Sequence, residues 1–264
     1  MSVHPDADLL LGDIGLLLTM DPSLHQAGDA TPGALGAIPD AALLIRGGQV
    51  TWVGPARDLP ADLAPDLPRE SAAGAVVMPG LVESHTHLVW GGDRERDFED
   101  RCSGVSYEAI LARGGGIYSS VAGTRRASEE DLYQAALERL DVLVRQGVTT
   151  VEIKSGYGLD LENELKILQV VARLDRTHPV TVVPTFLGAH VVGPEHRGDP
   201  DRYVDLIIEE MLPEVAARSL ARFCDVFVED GAFDVPRARR ILHRARDLGL
   251  GCKVHAEQLS RSGG

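Results

Sequence analysis

The sequence predicts an α/β protein: a small β module over residues 1–78, then an incomplete (β/α)8 barrel over residues 79–264 with about five βα units. Three observations predict it. After Pro79, apolar β-branched runs alternate with helix-periodic stretches, the pattern of parallel βα units. Before Pro79 there are strand and turn patterns but no helical period. And five predicted strands each end in a polar side chain capable of chemistry, as expected where all C-terminal strand ends open onto one face of a barrel.

The N-terminal elements come first. Residues 9–11 and 16–19 read as two short strands separated by Gly12-Asp13, and residues 21–40 have the Pro, Gly and Asp content of a loop. Residues 41–46 and 49–54 flank Gly47-Gly48 and read as a hairpin, because a two-residue primed turn needs positive φ. No group of reactive side chains occurs here, so this section reads as part of a composite, sandwich-like β module.

In the second section, residues 76–88 read as an apolar strand running straight into His85-Thr86-His87. A long Gly-rich segment, 91–123, follows. Ser128 and Asp131 make an acidic capping box for a helix with Leu132, Ala136, Leu140 and Leu143 on one face, stopped by Gly147. The strand 148–154 leads into Ser155-Gly156-Tyr157-Gly158, and a helix then carries Leu161, Leu165, Leu168 and Ala172 inward. The strand 180–187 ends at Gly188-Ala189-His190. Pro200 suits the first turn of a helix, and Pro213 is expected to break it into two. The strand 225–229 ends in Glu229. Pro236 opens a helix with Ile241, Ala245 and Leu248 inward, and the strand 252–255 ends in His255.

The chain has 264 residues, 44% hydrophobic and 25% charged, with a net charge of −14. That balance argues against a nucleic-acid partner and against docking on anionic lipid, both of which need a basic surface. Three scattered cysteines, Cys102, Cys224 and Cys252, make neither a disulfide framework nor a thiolate metal site, and fit a reducing, cytoplasmic setting. The first residues show no basic n-region and the apolar run 14–20 is too short to cross a bilayer, so neither a targeting segment nor a membrane span is expected.

His85 and His87, spaced i and i+2 on a strand, share a face, and with His255 at another strand end they form a candidate metal site. His4, His25, His178, His196 and His243 scatter over loops and a helix and read as structural or solvent-exposed.

Four segments carry a family resemblance. They are His85-Thr86-His87-Leu88-Val89-Trp90-Gly91-Gly92-Asp93-Arg94; Val151-Glu152-Ile153-Lys154-Ser155-Gly156-Tyr157-Gly158-Leu159; Thr185-Phe186-Leu187-Gly188-Ala189-His190; and His255-Ala256-Glu257-Gln258-Leu259-Ser260. They resemble the imidazolonepropionase family within the metal-dependent amidohydrolase superfamily. The resemblance spans essentially the whole chain, and its second segment is far more specific than His-x-His. It implies hydrolysis of the ring amide C–N bond of 4-imidazolone-5-propanoate to N-formimidoyl-L-glutamate, in histidine degradation, with a metal-activated water. It implies a zinc or iron ion on His85, His87 and His255, and is compatible with a homodimer. It implies substrate contacts from Arg94, Tyr157, His190 and Gln258. Within that set, His190 is expected to donate to the developing oxyanion. Gln258, where some members carry Glu, can orient the substrate but not abstract a proton. Glu229 is expected to act in support or in structure, and Lys154 lies on the wrong strand for a carbamylated ligand.

The end of the chain departs from the family. From Pro79 to Gly264 the chain falls well short of the about 250 residues a (β/α)8 barrel typically uses. The Asp that the family supplies from its final barrel strand has no counterpart here. The expectation is a C-terminally incomplete copy of the enzyme. Two other readings stand beside it: a non-catalytic, metal-binding remnant, and an amidohydrolase acting on another cyclic amide.

Overall fold

The computed structural model describes residues 8–21, 35–106, 109–110, 113–258 and 260–264. His4 and His25 lie outside the described residues. The chain divides into two compact units, Met1–Gly80 and Leu81–Gly264.

The first unit is a five-stranded sheet. Strand β1 (Leu9–Leu18) pairs antiparallel with β2 (Ala37–Arg46), and β2 pairs antiparallel with β3 (Gln49–Pro55). On its other side β1 runs parallel to two short strands, β4 (Arg69–Ser71) and β5 (Val76–Val77). Gly47 and Gly48 sit at φ 53° and 73° and make the expected hairpin turn. The two short strands expected before Pro22 are one. Gly12-Asp13 does not end it but forms an irregularity between Leu11 and Ile14, with Asp13 at φ 49°. Val76 and Val77 pair with β1 rather than leading into the histidines. The second face that would complete a sandwich is not among the described residues.

The second unit is a parallel sheet of order β10-β9-β8-β7-β6, with β6 (Leu81–Thr86), β7 (Val148–Lys154), β8 (Thr181–Ala189), β9 (Phe223–Val228) and β10 (Gly251–Ala256). Each strand neighbours the next in sequence, as in a singly wound barrel. Five parallel strands match the expected count, and among the described residues helices follow the first four of them. The Gly-rich segment after β6 is more structured than its composition suggests, since it holds helices α1 (Glu95–Cys102) and α2 (Ile117–Arg126). Helix α3 (Glu129–Arg145) begins at the expected capping box: Ser128 Oγ accepts from the Asp131 N–H at 3.1 Å, and the Asp131 carboxylate accepts from the Ser128 N–H at 3.4 Å. Leu132, Ala136 and Leu140 are buried along its inner face. Ser128→Ala is expected to cost about 0.5–2 kcal/mol, read as a shifted urea midpoint at constant m-value.

Helix α4 (Leu161–Thr177) packs Leu165, Leu168 and Leu174 inward. Pro213 does not break the next helix. Helices α5 (Pro200–Leu206) and α6 (Leu212–Ala217) are joined by a π turn, Ile207–Met211, through which the chain stays helical. A wider turn lets the ring pass without a clash. Proline has no N–H to donate, and the Arg244 Nε–H reaches the Ile208 carbonyl at 3.4 Å. Arg244 lies on α7 (Val235–Asp247), which Asp234 caps.

The sheet is strongly curled. In a flat sheet the first and fifth strands lie roughly 19 Å apart, four gaps of about 4.8 Å. Yet the ring centroids of His85 on β6 and His255 on β10 are 4.6 Å apart. The described strands do not pair β10 with β6, so both are edges. Among the described residues, no helix is long and apolar enough to cross a membrane.

Candidate active site

Curling turns the polar positions of the strands inward, where they make two layers. The lower is ionic. Glu152 and Lys154, two residues apart on β7, share a face. Lys154 Nζ donates to Glu152 Oε1 at 2.8 Å and to Asp225 Oδ2, on β9, at 2.7 Å. Glu152 also accepts from Thr185 Oγ1 at 2.6 Å and from Lys253 Nζ, on β10, at 2.5 Å. Burial pushes the Glu152 carboxyl up, but the hydrogen bonds from Lys154, Lys253 and Thr185 outweigh this and leave it below its ordinary value.

Above this layer stand the aromatic and imidazole rings. His85 is 6.0 Å from His87 and 4.6 Å from His255, between ring centroids. His87 stacks on His190 at 4.6 Å and lies 4.9 Å from Tyr157. Phe227 closes the set 4.5 Å from His255. Burial is the first cause lowering the pKa of His85, His87 and His190. Lys154 is the next contributor for His85, and the neighbouring His190 and His85 for His87. His190 is brought down to about 4. These three rings are neutral at pH 7, the form a metal ligand requires.

The hydrogen bonds fix which nitrogens are bare. His87 Nδ1 is buried without a partner. His255 Nε2 donates to Gln258 Oε1 at 2.7 Å, and its Nδ1 is likewise buried and unpartnered. A buried lone pair with no donor facing it is uncommon. Of the three unpartnered buried side-chain atoms among the described residues, two are these nitrogens and the third is Asp225 Oδ1. The described residues hold no group of three His, Cys, Asp or Glu side chains already at metal-binding separations. The donor set still fits a divalent ion, with two bare buried Nδ1 atoms, on His87 and His255, and rings gathered from opposite edges of the sheet. An open cleft of about 450 Å³, lined by His85, His255, Lys154 and Asp225 among others, lies beside them.

The other expected site residues fall around the rings. Arg94, just ahead of α1, donates from Nε to Ser120 Oγ at 2.9 Å, and its guanidinium carbon lies 5.9 Å from the Tyr157 ring. His190 Nδ1 donates to the Gly156 carbonyl at 3.1 Å. In that neutral tautomer Nε2 is an acceptor, not the oxyanion donor expected from the resemblance. Gln258 bears on His255 through its amide oxygen. Glu229 is buried, and Ser260 and the Asp230 N–H donate to its Oε1. His178 meets Asp141 at 3.2 Å, His196 lies 5.6 Å from Tyr203, and His243 is exposed on α7, so these three stand apart from the rings.

Two contributors escaped the sequence reading. Arg139 on α3 donates to the Leu88 and Trp90 carbonyls at 2.9 and 3.0 Å and lies 3.9 Å over the Trp90 ring, which fixes the chain leaving His87. Glu164 on α4 faces the loop that bears Tyr157. Neither has a local signal: each reads as an ordinary helix residue, and only the distant backbone it meets gives it a role.

No protein-family model matches the chain. It is 48% identical over 248 residues to the imidazolonepropionase of Shewanella halifaxensis, covering 94% of this chain and 59% of that protein. It is also 48% identical over 260 residues to the imidazolonepropionase of Symbiobacterium thermophilum, covering 97% of this chain and 61% of that protein. The chain thus spans about three-fifths of the length of the curated relatives it matches. In structure it resembles a 5-methylcytosine deaminase from Klebsiella pneumoniae, with a TM-score of 0.60 at 15% identity over 96% of this chain and 53% of that one. It also resembles an N-isopropylammelide isopropylaminohydrolase from Burkholderia multivorans, with a TM-score of 0.56 at 18% identity over 97% of this chain and 55% of that one. At such identities the likeness speaks for the fold alone.

Proposed function

From a chain related by sequence to the imidazolonepropionases along nearly its whole length, we propose hydrolysis of 4-imidazolone-5-propanoate to N-formimidoyl-L-glutamate, on the C-terminal face of a (β/α)8 barrel. The observation that carries this reading is the convergence of His85, His87, Tyr157, His190 and His255 at the ends of four strands, with Arg94 beside Tyr157.

His85, His87 and His255 would hold one divalent ion, zinc or iron. Bound there, it supplies Lewis acidity and brings the pKa of water toward about 7. The chain's own residues do the rest. Arg94 presents its fork to the propanoate carboxylate, with Ser120 holding Nε so that the fork keeps one orientation. The Tyr157 ring neighbours both Arg94, at 5.9 Å, and His87, at 4.9 Å, and would line the way from the carboxylate grip to the reacting amide. His190 offers Nε2 as a proton acceptor beside it. Gln258 holds the His255 ring. The substrate is small and anionic, and no nucleic-acid or membrane partner enters this reading.

The test is Arg94→Ala. KM for the imidazolone is expected to rise about 30- to 100-fold with a smaller change in kcat, the loss of a charge-assisted pair worth about 2–3 kcal/mol. An unchanged KM would remove Arg94 from the binding role.

A further inference from the structure

Glu164 sits in the first turn of α4 and is wholly buried. Its carboxylate accepts from three backbone N–H groups of one loop: Gly156 at 3.1 Å, Gly158 at 2.8 Å and Leu159 at 2.9 Å. Capping does not account for it, since Asp160 already caps α4 by accepting from the Asn163 N–H at 2.8 Å. Burying a carboxylate is costly, and here the compensation is loop backbone and the positive end of a helix.

That loop carries the site. Tyr157 projects from it, and its Gly156 carbonyl accepts from His190 Nδ1 at 3.1 Å. The fit leaves no slack. A Cβ on Gly158 would lie 2.4 Å from the Glu164 nitrogen, and one on Gly156 would lie 3.0 Å from His190 Nδ1. Gly156 at φ 112° and Leu159 at φ 56° hold conformations that the clamp must stabilise.

We infer that Glu164 is the positioning residue of the site: by gripping the amides of residues 156, 158 and 159 it places the Tyr157 phenol and holds the Gly156 carbonyl that selects the His190 tautomer. The consequence for substrate rests on the function proposed above; the consequence for the loop and the tautomer does not.

The experiment compares Glu164→Gln and Glu164→Asp with the unsubstituted protein, metal-loaded and in the full chain its cells make. It uses steady-state kinetics on 4-imidazolone-5-propanoate, bound-metal content, and imidazole nitrogen NMR of His190. Glutamine keeps one acceptor oxygen and turns an NH2 toward backbone N–H groups. It is expected to lower kcat/KM about 10- to 100-fold, mostly through KM, with metal content unchanged. His190 should pass from one tautomer to a mixture, and aspartate should recover part of both effects. A Glu164→Gln protein with wild-type KM and a single tautomer, changed only in melting temperature, would reduce Glu164 to a structural residue and overturn the inference. If that variant does not fold, hydrogen exchange in the unsubstituted protein decides. Core-like protection of the Gly156, Gly158 and Leu159 amides supports the clamp, and exchange at the rate of exposed loop amides overturns it. Should the unsubstituted protein fail to hydrolyse the imidazolone, the functional reading falls, while the tautomer and exchange measurements still judge Glu164.

Discussion

Lys154→Met is expected to lower the unfolding free energy by about 3–5 kcal/mol, the cost of leaving a buried charge without its partner. Lys154 is 2% exposed, and its Nζ joins Glu152 to Asp225. Methionine matches the aliphatic stem but offers no donor. Glu152 would keep Thr185 and Lys253. Asp225 fares worse, because its Oδ1 has no hydrogen-bond partner and the bond it would lose is the one to Oδ2. The double variant Lys154→Met with Asp225→Leu should recover a large part of the loss, since well-packed apolar replacements of a whole buried pair are often neutral. Urea titration at constant m-value measures both. A loss below about 1 kcal/mol would mean that water reaches the layer and screens it. The same layer shapes the acid limb of stability. The folded pKa of Glu152 is depressed, so its contribution is present above the ordinary value of 4.5 and is lost as pH falls through the folded value.

What could be read in the sequence was what obeys local rules. The Ser128 capping box, the Gly47-Gly48 hairpin and the helical faces of α3, α4 and α7 follow from neighbours a few residues apart. The histidines at the ends of β6, β8 and β10 were legible because strand ends of one barrel share a face. The ionic layer was not. Glu152, Lys154 and Lys253 occupy alternate strand positions, and in a half-solvated sheet such positions face water. Only the curl that brings His255 beside His85 turns them inward, and curl is a property of the whole sheet rather than of any one strand. Pro213 misled for a related reason: the cost of proline in a helix assumes a regular turn, and the π turn with Arg244 at the Ile208 carbonyl removes much of it. Arg94 came from the family resemblance alone, since its neighbours Arg96 and Arg101 look the same in sequence. Its contacts with Ser120 and Tyr157 give the physical distinction. Glu164 carries no mark in sequence, because an acidic residue in a first helical turn is the usual choice there.

His255→Ala is expected to remove the bound metal and with it at least about 1,000-fold of kcat/KM, because the several kcal/mol of Lewis-acid stabilisation leave with the ion. The reasoning is geometric. His255 comes from the strand farthest from β6, so it alone of the three proposed ligands supplies the opposite wall of the site. His85 and His87 come from a single strand end, and two imidazoles on one side leave an ion open to solvent. Metal analysis after dialysis against a weak chelator reads the effect without relying on turnover, and it identifies zinc or iron in the unsubstituted protein. Near-stoichiometric metal retained by His255→Ala would sink the ligand assignment. Gln258→Ala should behave differently from His255→Ala. It leaves Nδ1 in place but frees the ring that the amide oxygen holds at 2.7 Å, so metal affinity should fall about 10- to 100-fold rather than vanish. If both variants lost metal equally, the amide would be as necessary as the imidazole, and Gln258 would have to be reassigned from holding a ligand to being one.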